Sequence, residues 1–237
     1  MERDWVGELE RWLQEKFREL CDTIGHAVPL SGLRINPGLV TEESRYFILG
    51  LEAGLFQPDE LGYVQSELLP LPDNANARQK MCRLFWHDPP PPRLSRECVC
   101  QLSTASSLII KRGWLTSHLL MEPDLRDDRD TSYGIDILMK LHPGQILVGV
   151  EIKRSAVELQ KLITDLRTCC KRGPHAKDEC GFPQNHPKYE FCALYQPAYF
   201  WAVAPETDVC FKMTYVEGAI ELEQLSSLPP RSLLESQ

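Results

Sequence analysis

Two apolar runs carry charges where charge is costly, and the turn between them dictates how they pair. Tyr133-Gly134-Ile135-Asp136-Ile137-Leu138 and Ile146-Leu147-Val148-Gly149-Val150-Glu151-Ile152-Lys153 flank His142-Pro143-Gly144-Gln145. Apolar, β-branched runs on either side of a Pro-Gly turn predict a β-hairpin. Side chains alternate along a strand, so Glu151 and Lys153 share one face while Val148, Val150 and Ile152 share the other. A charge within an apolar strand is unfavourable unless it is paired or bound to a metal. Asp136, Glu151 and Lys153 converging at a sheet edge therefore point to a divalent-cation site.

Carboxylates suit Mg²⁺, which takes one or two of them and fills its remaining positions with water and substrate oxygens. Mn²⁺ is the expected substitute. Such an ion activates water near neutral pH and stabilises charge on a phosphoryl group. Asp136 and Glu151 are the candidate ligands, and the Ile152 carbonyl between Glu151 and Lys153 is a third. Lys153 would position the attacking water or neutralise developing charge.

The rest of the chain supplies a setting for this hairpin. Trp5, Leu9, Trp12, Leu13, Phe17 and Leu20 recur at helical spacing. Thr41 begins a second helical pattern, and Pro58-Asp59-Glu60 a third, ending near Leu69. Residues 1–86 thus read as a small helical region for dimerisation, sensing or partner docking. His87 to Arg93 holds four consecutive prolines and reads as a stiff spacer. Ser95 can cap a helix over 95–111 that Gly113 ends. Strands are expected over 114–121, 133–140 and 146–154, then a helix over 156–170. Phe191–Tyr195 and Tyr199–Val203 are aromatic-rich strand candidates. A second domain over 94–225 and a flexible tail over 226–237 complete the organisation.

The order helix, three strands, helix, with Gly134-Ile135-Asp136-Ile137 followed by Glu151-Ile152-Lys153, resembles the PD-(D/E)xK nuclease superfamily. Its restriction-endonuclease-like αβββα core has a mixed central sheet. Residues 96–153 look like the N-terminal nuclease domain of type I restriction enzyme R subunits. Glu97, Gly113-Trp114-Leu115 and Met121-Glu122 stand where that domain has a helix glutamate, a turn and a strand ending in Glu. The resemblance covers roughly residues 94–205. It implies a metal-dependent endonuclease that hydrolyses DNA, in restriction or defence against foreign DNA. It makes Glu97 a carboxylate near the metal, although a first-turn helix charge explains Glu97 equally well. Asp136 takes precedence over the literal Pro123-Asp124, which lies in an acid-rich loop. Gln160 falls on the next helix, where RecB-like relatives carry a catalytic glutamine, with Thr164 in place of their usual tyrosine. A catalytically silent nuclease fold serving as an interaction or regulatory subunit is the alternative, as is an RNA-directed nuclease.

Composition narrows the partners. The net charge is -8, with six Lys/Arg against thirteen Asp/Glu in residues 1–70. Residues 151–188 reverse this, with eight Lys/Arg against five Asp/Glu. That basic stretch, following the hairpin, can face phosphates or simply solvent. Cutting both strands of a duplex needs two sites, so a homodimer or a larger assembly is expected. No run of about 18 apolar residues is present, so no membrane span is expected. Nine scattered cysteines and no apolar leader point to a reducing cytoplasmic setting. Cys98 and Cys100 read as helix packing. Cys169, Cys170, His175, Cys180, His186 and Cys192 cluster in sequence without a C-x₂-C pair. Free thiols are the first expectation there, ahead of a structural Zn²⁺ on Cys169, Cys180, His186 and Cys192 or a labile iron–sulfur cluster.

Overall fold

A computed structural model describes residues 3–69, 82–88, 90–123, 133–142 and 145–234. The chain forms two compact units, Met1–Gly113 and Trp114–Gln237.

In the first unit, α1 (Trp5–Thr23) starts at Asp4, whose carboxylate accepts from the Gly7 N–H. It buries Leu9, Leu13, Phe17 and Leu20 along one stripe. α2 (Thr41–Glu52) packs on α3 (Arg96–Ile110), and Ser103 of α3 donates its hydroxyl to the Glu43 carbonyl of α2. Arg96 and Glu43 form a bidentate ion pair at 2.9 and 2.8 Å with both side chains buried. Ser95 caps α3 as expected. The helix expected from Pro58 to Leu69 is not formed. Two short strands, β1 (Gln57–Pro58) and β2 (Val64–Gln65), stand there instead. Asp59 Oδ1 accepts from the Leu61 and Tyr63 N–H groups, and Gly62 adopts φ +78°, so this acid organises a turn rather than a helix start. β3 (Phe85–Trp86) pairs antiparallel with β4 (Arg93–Leu94). The two ends of the proline run are therefore neighbours, where a stiff spacer would hold them apart. Cys98 is disulfide-bonded to Cys82, which corrects its reading as simple helix packing. The other seven cysteines form no disulfide.

The second unit is a mixed α/β fold. Its six-stranded sheet runs β10 (Ala219–Leu225), β9 (Thr207–Val216), β8 (Tyr199–Ala204), β7 (Gln145–Ile152), β6 (Ile137–His142), β5 (Leu119–Met121). Neighbours are antiparallel except β7 and β8, which are parallel. A parallel pair needs a crossover, and here it consists of α4 (Ala156–Arg172), a long connection and α5 (His186–Tyr195). Leu159, Leu162, Ile163 and Leu166 of α4 join Phe191, Phe200, Phe211 and Ile220 in one buried cluster. Each such side chain contributes about 1.5–3 kcal/mol by leaving water. β5 is shorter than expected because Thr116–His118 form a 3-10 turn. Pro143 and Gly144 of the hairpin turn lie outside the described residues, as does Asp124.

α5 overturns the strand expected at Phe191–Tyr195. Pro187 occupies the first turn of that helix, where its missing N–H costs nothing. Packing then overrides aromatic β-propensity. Phe191 lies over Gly149 of β7 so closely that a Cβ there would stand 2.5 Å from its ring. The terminal segment, expected to be loose, carries a short α6 (Arg231–Leu234) and buries Leu228 and Leu234.

Candidate functional site

The hairpin register sets the geometry. Ile137 pairs with Val150 and Leu138 with Gly149, so the preceding residue, Asp136, falls opposite Glu151. Its own N–H donates to the Val150 carbonyl. Asp136 Oδ2 accepts from the Ile152 N–H at 2.5 Å, which holds the carboxyl across the strand pair. Ile152 thus supplies a donor to the site through its N–H. The Glu122 N–H donates to the Asp136 carbonyl, bringing the end of β5 alongside. Burial pushes the Asp136 carboxyl well above the ordinary aspartate range, and repulsion from Glu151 and Glu122 adds to this. Lys153 and the Ile152 N–H act in the opposite direction.

Glu151 is 1% exposed. Its Oε1 accepts from Lys153 Nζ at 2.6 Å, and Lys188 Nζ lies 3.3 Å away. Its Oε2 is buried and makes no hydrogen bond among the described residues. A buried carboxylate oxygen left without a donor normally costs more than it returns. That oxygen and the facing Asp136 carboxyl are hard donors of the class that Mg²⁺ or Mn²⁺ takes.

Lys188 was not singled out as a site residue by sequence reasoning. It lies on α5, far along the chain from the hairpin, at the end of the basic stretch expected to face phosphates or solvent. Its ammonium donates to the Gly134 carbonyl at 2.7 Å and to that of Tyr133 at 3.2 Å. Gly134 has φ +61°, and a Cβ there would stand 2.7 Å from Lys188 Nζ. Lys188 therefore ties Glu151 to the backbone leading into Asp136.

Two other expected residues are described by their own helices. Gln160 is an exposed residue of α4, lining a shallow groove with Val157, Thr164, Thr207 and Val209. Glu97 is an exposed first-turn residue of α3, in the first unit. The cysteine–histidine segment gathers Cys169, His175, Cys180 and His186. Cys192, expected in that set, is not among them, and His175 stands in the group. Among the described residues no helix is long and apolar enough to cross a membrane. No protein-family model, curated protein or solved structure matches this chain.

Proposed function

We propose that this protein is a metal-dependent nuclease that hydrolyses phosphodiester bonds in DNA, on a restriction-endonuclease-like αβββα core. The observation that carries the reading is Glu151, a buried carboxylate with one oxygen lacking a donor, facing Asp136 and flanked by two lysines. The order β5, β6, β7, α4 within the second unit supports it, with α3 preceding them in the sequence.

Asp136 and Glu151 would hold Mg²⁺ or Mn²⁺, with Glu122 within electrostatic reach. The ion supplies Lewis acidity and lowers the pKa of a bound water. The chain's own groups do the rest. Lys153 is partly exposed, so its ammonium can turn from Glu151 towards a phosphoryl oxygen and stabilise charge there. Lys188 keeps Glu151 aligned with the Asp136 segment and adds a second positive charge. The basic residues after the hairpin, among them Lys161, Lys171 and Lys177, would attract the polyanion. A homodimer would bring two sites to the two strands of a duplex.

Plasmid, linear duplex, single-stranded DNA and RNA incubated with Mg²⁺ or Mn²⁺ test the reading. Cleavage of DNA by the wild type, lost in Asp136→Asn and Lys153→Ala, is the expected result. Equal cleavage by all three proteins would sink it. Cleavage of RNA alone would move the substrate, and metal-independent silence on every substrate would leave the fold as an interaction module.

A further inference from the structure

The connection between α4 and α5 gathers four side chains that the carboxylate site does not use. Cys169 lies in the last turn of α4, His175 and Cys180 lie in the connection, and His186 opens α5. One ligand atom from each lies within 4.8 Å of all the others. The sulfurs of Cys169 and Cys180 are 3.5 Å apart. That is well beyond the ~2.05 Å of a disulfide. It is close to the ~3.8 Å edge of a tetrahedron with bonds of about 2.3 Å.

Both imidazoles are presented as metal-bound histidines are. His175 Nδ1 lies 2.6 Å from the Gly173 carbonyl, which can only accept, so the proton sits on Nδ1. The lone pair is then on Nε2, which is buried and makes no hydrogen bond. A backbone carbonyl on the far nitrogen is the usual way a ligating histidine is oriented. His186 is fully buried, and neither ring nitrogen makes a hydrogen bond. Its Nε2 faces Glu190 Oε1 at 3.5 Å, which leaves Nδ1 for an ion. The Phe182 N–H points at Cys180 Sγ from 3.4 Å, a contact that favours a thiolate.

The connection also needs a fastening. Residues 173–185 contain only a 3-10 turn at Lys177–Glu179, and Ala176 to Glu179 are exposed. A stretch of that length with so little regular structure is uncommon in a compact unit unless something ties it down.

We propose that Cys169, His175, Cys180 and His186 bind one Zn²⁺ tetrahedrally and staple α4 to α5. Two thiolates and two imidazoles select zinc over Mg²⁺. Four protein ligands leave no open position for water, so the centre is structural rather than hydrolytic. The ligand atoms need to close by about an ångström, within the reach of side-chain rotation. The staple fixes the start of α5 two residues before Lys188, whose place against Glu151 depends on that helix.

Metal analysis of the full chain, produced with zinc and dialysed, tests the assignment. The wild type should retain one zinc per chain and Cys192→Ser should retain it too, while His175→Ala and Cys180→Ser should retain none. Because ligand variants can fail to fold, cobalt substitution of the wild type provides a second readout. A thiolate-to-cobalt charge-transfer band with tetrahedral d–d absorption is expected. A zinc-free wild type that takes up no cobalt would overturn the site, as would a Cys169–Cys180 disulfide found in unreduced peptides. Zinc lost in Cys192→Ser but kept in His175→Ala would overturn this ligand set. None of these readouts depends on nuclease activity.

Discussion

Among the described residues, each unit buries a glutamate against basic side chains, and the two are finished differently. Glu43 uses both oxygens on the Arg96 guanidinium, whose Nε and Nη2 also reach the Pro37 and Gly38 carbonyls. Both side chains are 2% exposed, and every charge has its partner. Glu151 is equally buried, yet it spends one oxygen on two lysines that remain 19% and 12% exposed, and leaves the other without a donor. A saturated pair specifies packing. An unsaturated one, fed by cations that still reach solvent, keeps capacity for a ligand. Burial of charge alone does not separate the two; the unfinished coordination of Glu151 does.

The sharpest way to break this contrast is to remove each carboxylate's chemistry and compare consequences. Glu151→Gln should lower DNA cleavage by about 10²–10³-fold or more while leaving the thermal midpoint unchanged or raised, since a poorly satisfied buried charge is gone. Cleavage assays beside calorimetry check both halves. Arg96→Leu should do the opposite in kind, costing about 3–5 kcal/mol of stability by orphaning Glu43, read by urea unfolding. The double variant Glu43→Gln/Arg96→Met should recover most of that loss.

Smaller effects sharpen the comparison. Gly149→Ala should destabilise by about 1–3 kcal/mol, because the new methyl meets the Phe191 ring. Its cleavage rate should fall further than its stability predicts, because displacing α5 moves Lys188. Lys188→Ala should lower kcat by about tenfold, equivalent to ~1.4 kcal/mol, with an unfolding midpoint close to the wild type. A Lys188→Ala protein with full activity would show that Lys188 is only a fastener.

Much of the framework is legible where local pattern and packing agree. α1, α2, α3 and α4 follow their apolar periodicity and capping residues, and β6 and β7 follow their apolar runs. The meeting of Asp136, Glu151 and Lys153 needs only strand alternation and register. What is not legible depends on distant partners. Phe191 and Tyr195 are good strand residues, yet a glycine on another strand makes room for a helix. Pro58-Asp59-Glu60 has the letters of a helix start, yet Asp59 folds its side chain onto the Tyr63 N–H. Lys188 joins the site because of a crossover that spacing does not reveal. The same connection substitutes His175 for Cys192, since an irregular loop brings together residues that no helical or strand period would.

The parallel pairing of β7 with β8 has a consequence for the order in which the chain assembles. β6 and β7 meet by closing a short loop, while β7 and β8 meet only after the intervening crossover has been spanned. Local closures lose less entropy and form earlier. Asp136 and Glu151 are therefore brought face to face beside Lys153 before Lys188 arrives. Pulse-labelled hydrogen exchange should find the Ile152 amide protected before the amides of α5. When α5 docks, Phe191 covers Gly149 as Lys188 reaches Glu151, so drying and charge compensation arrive in a single step.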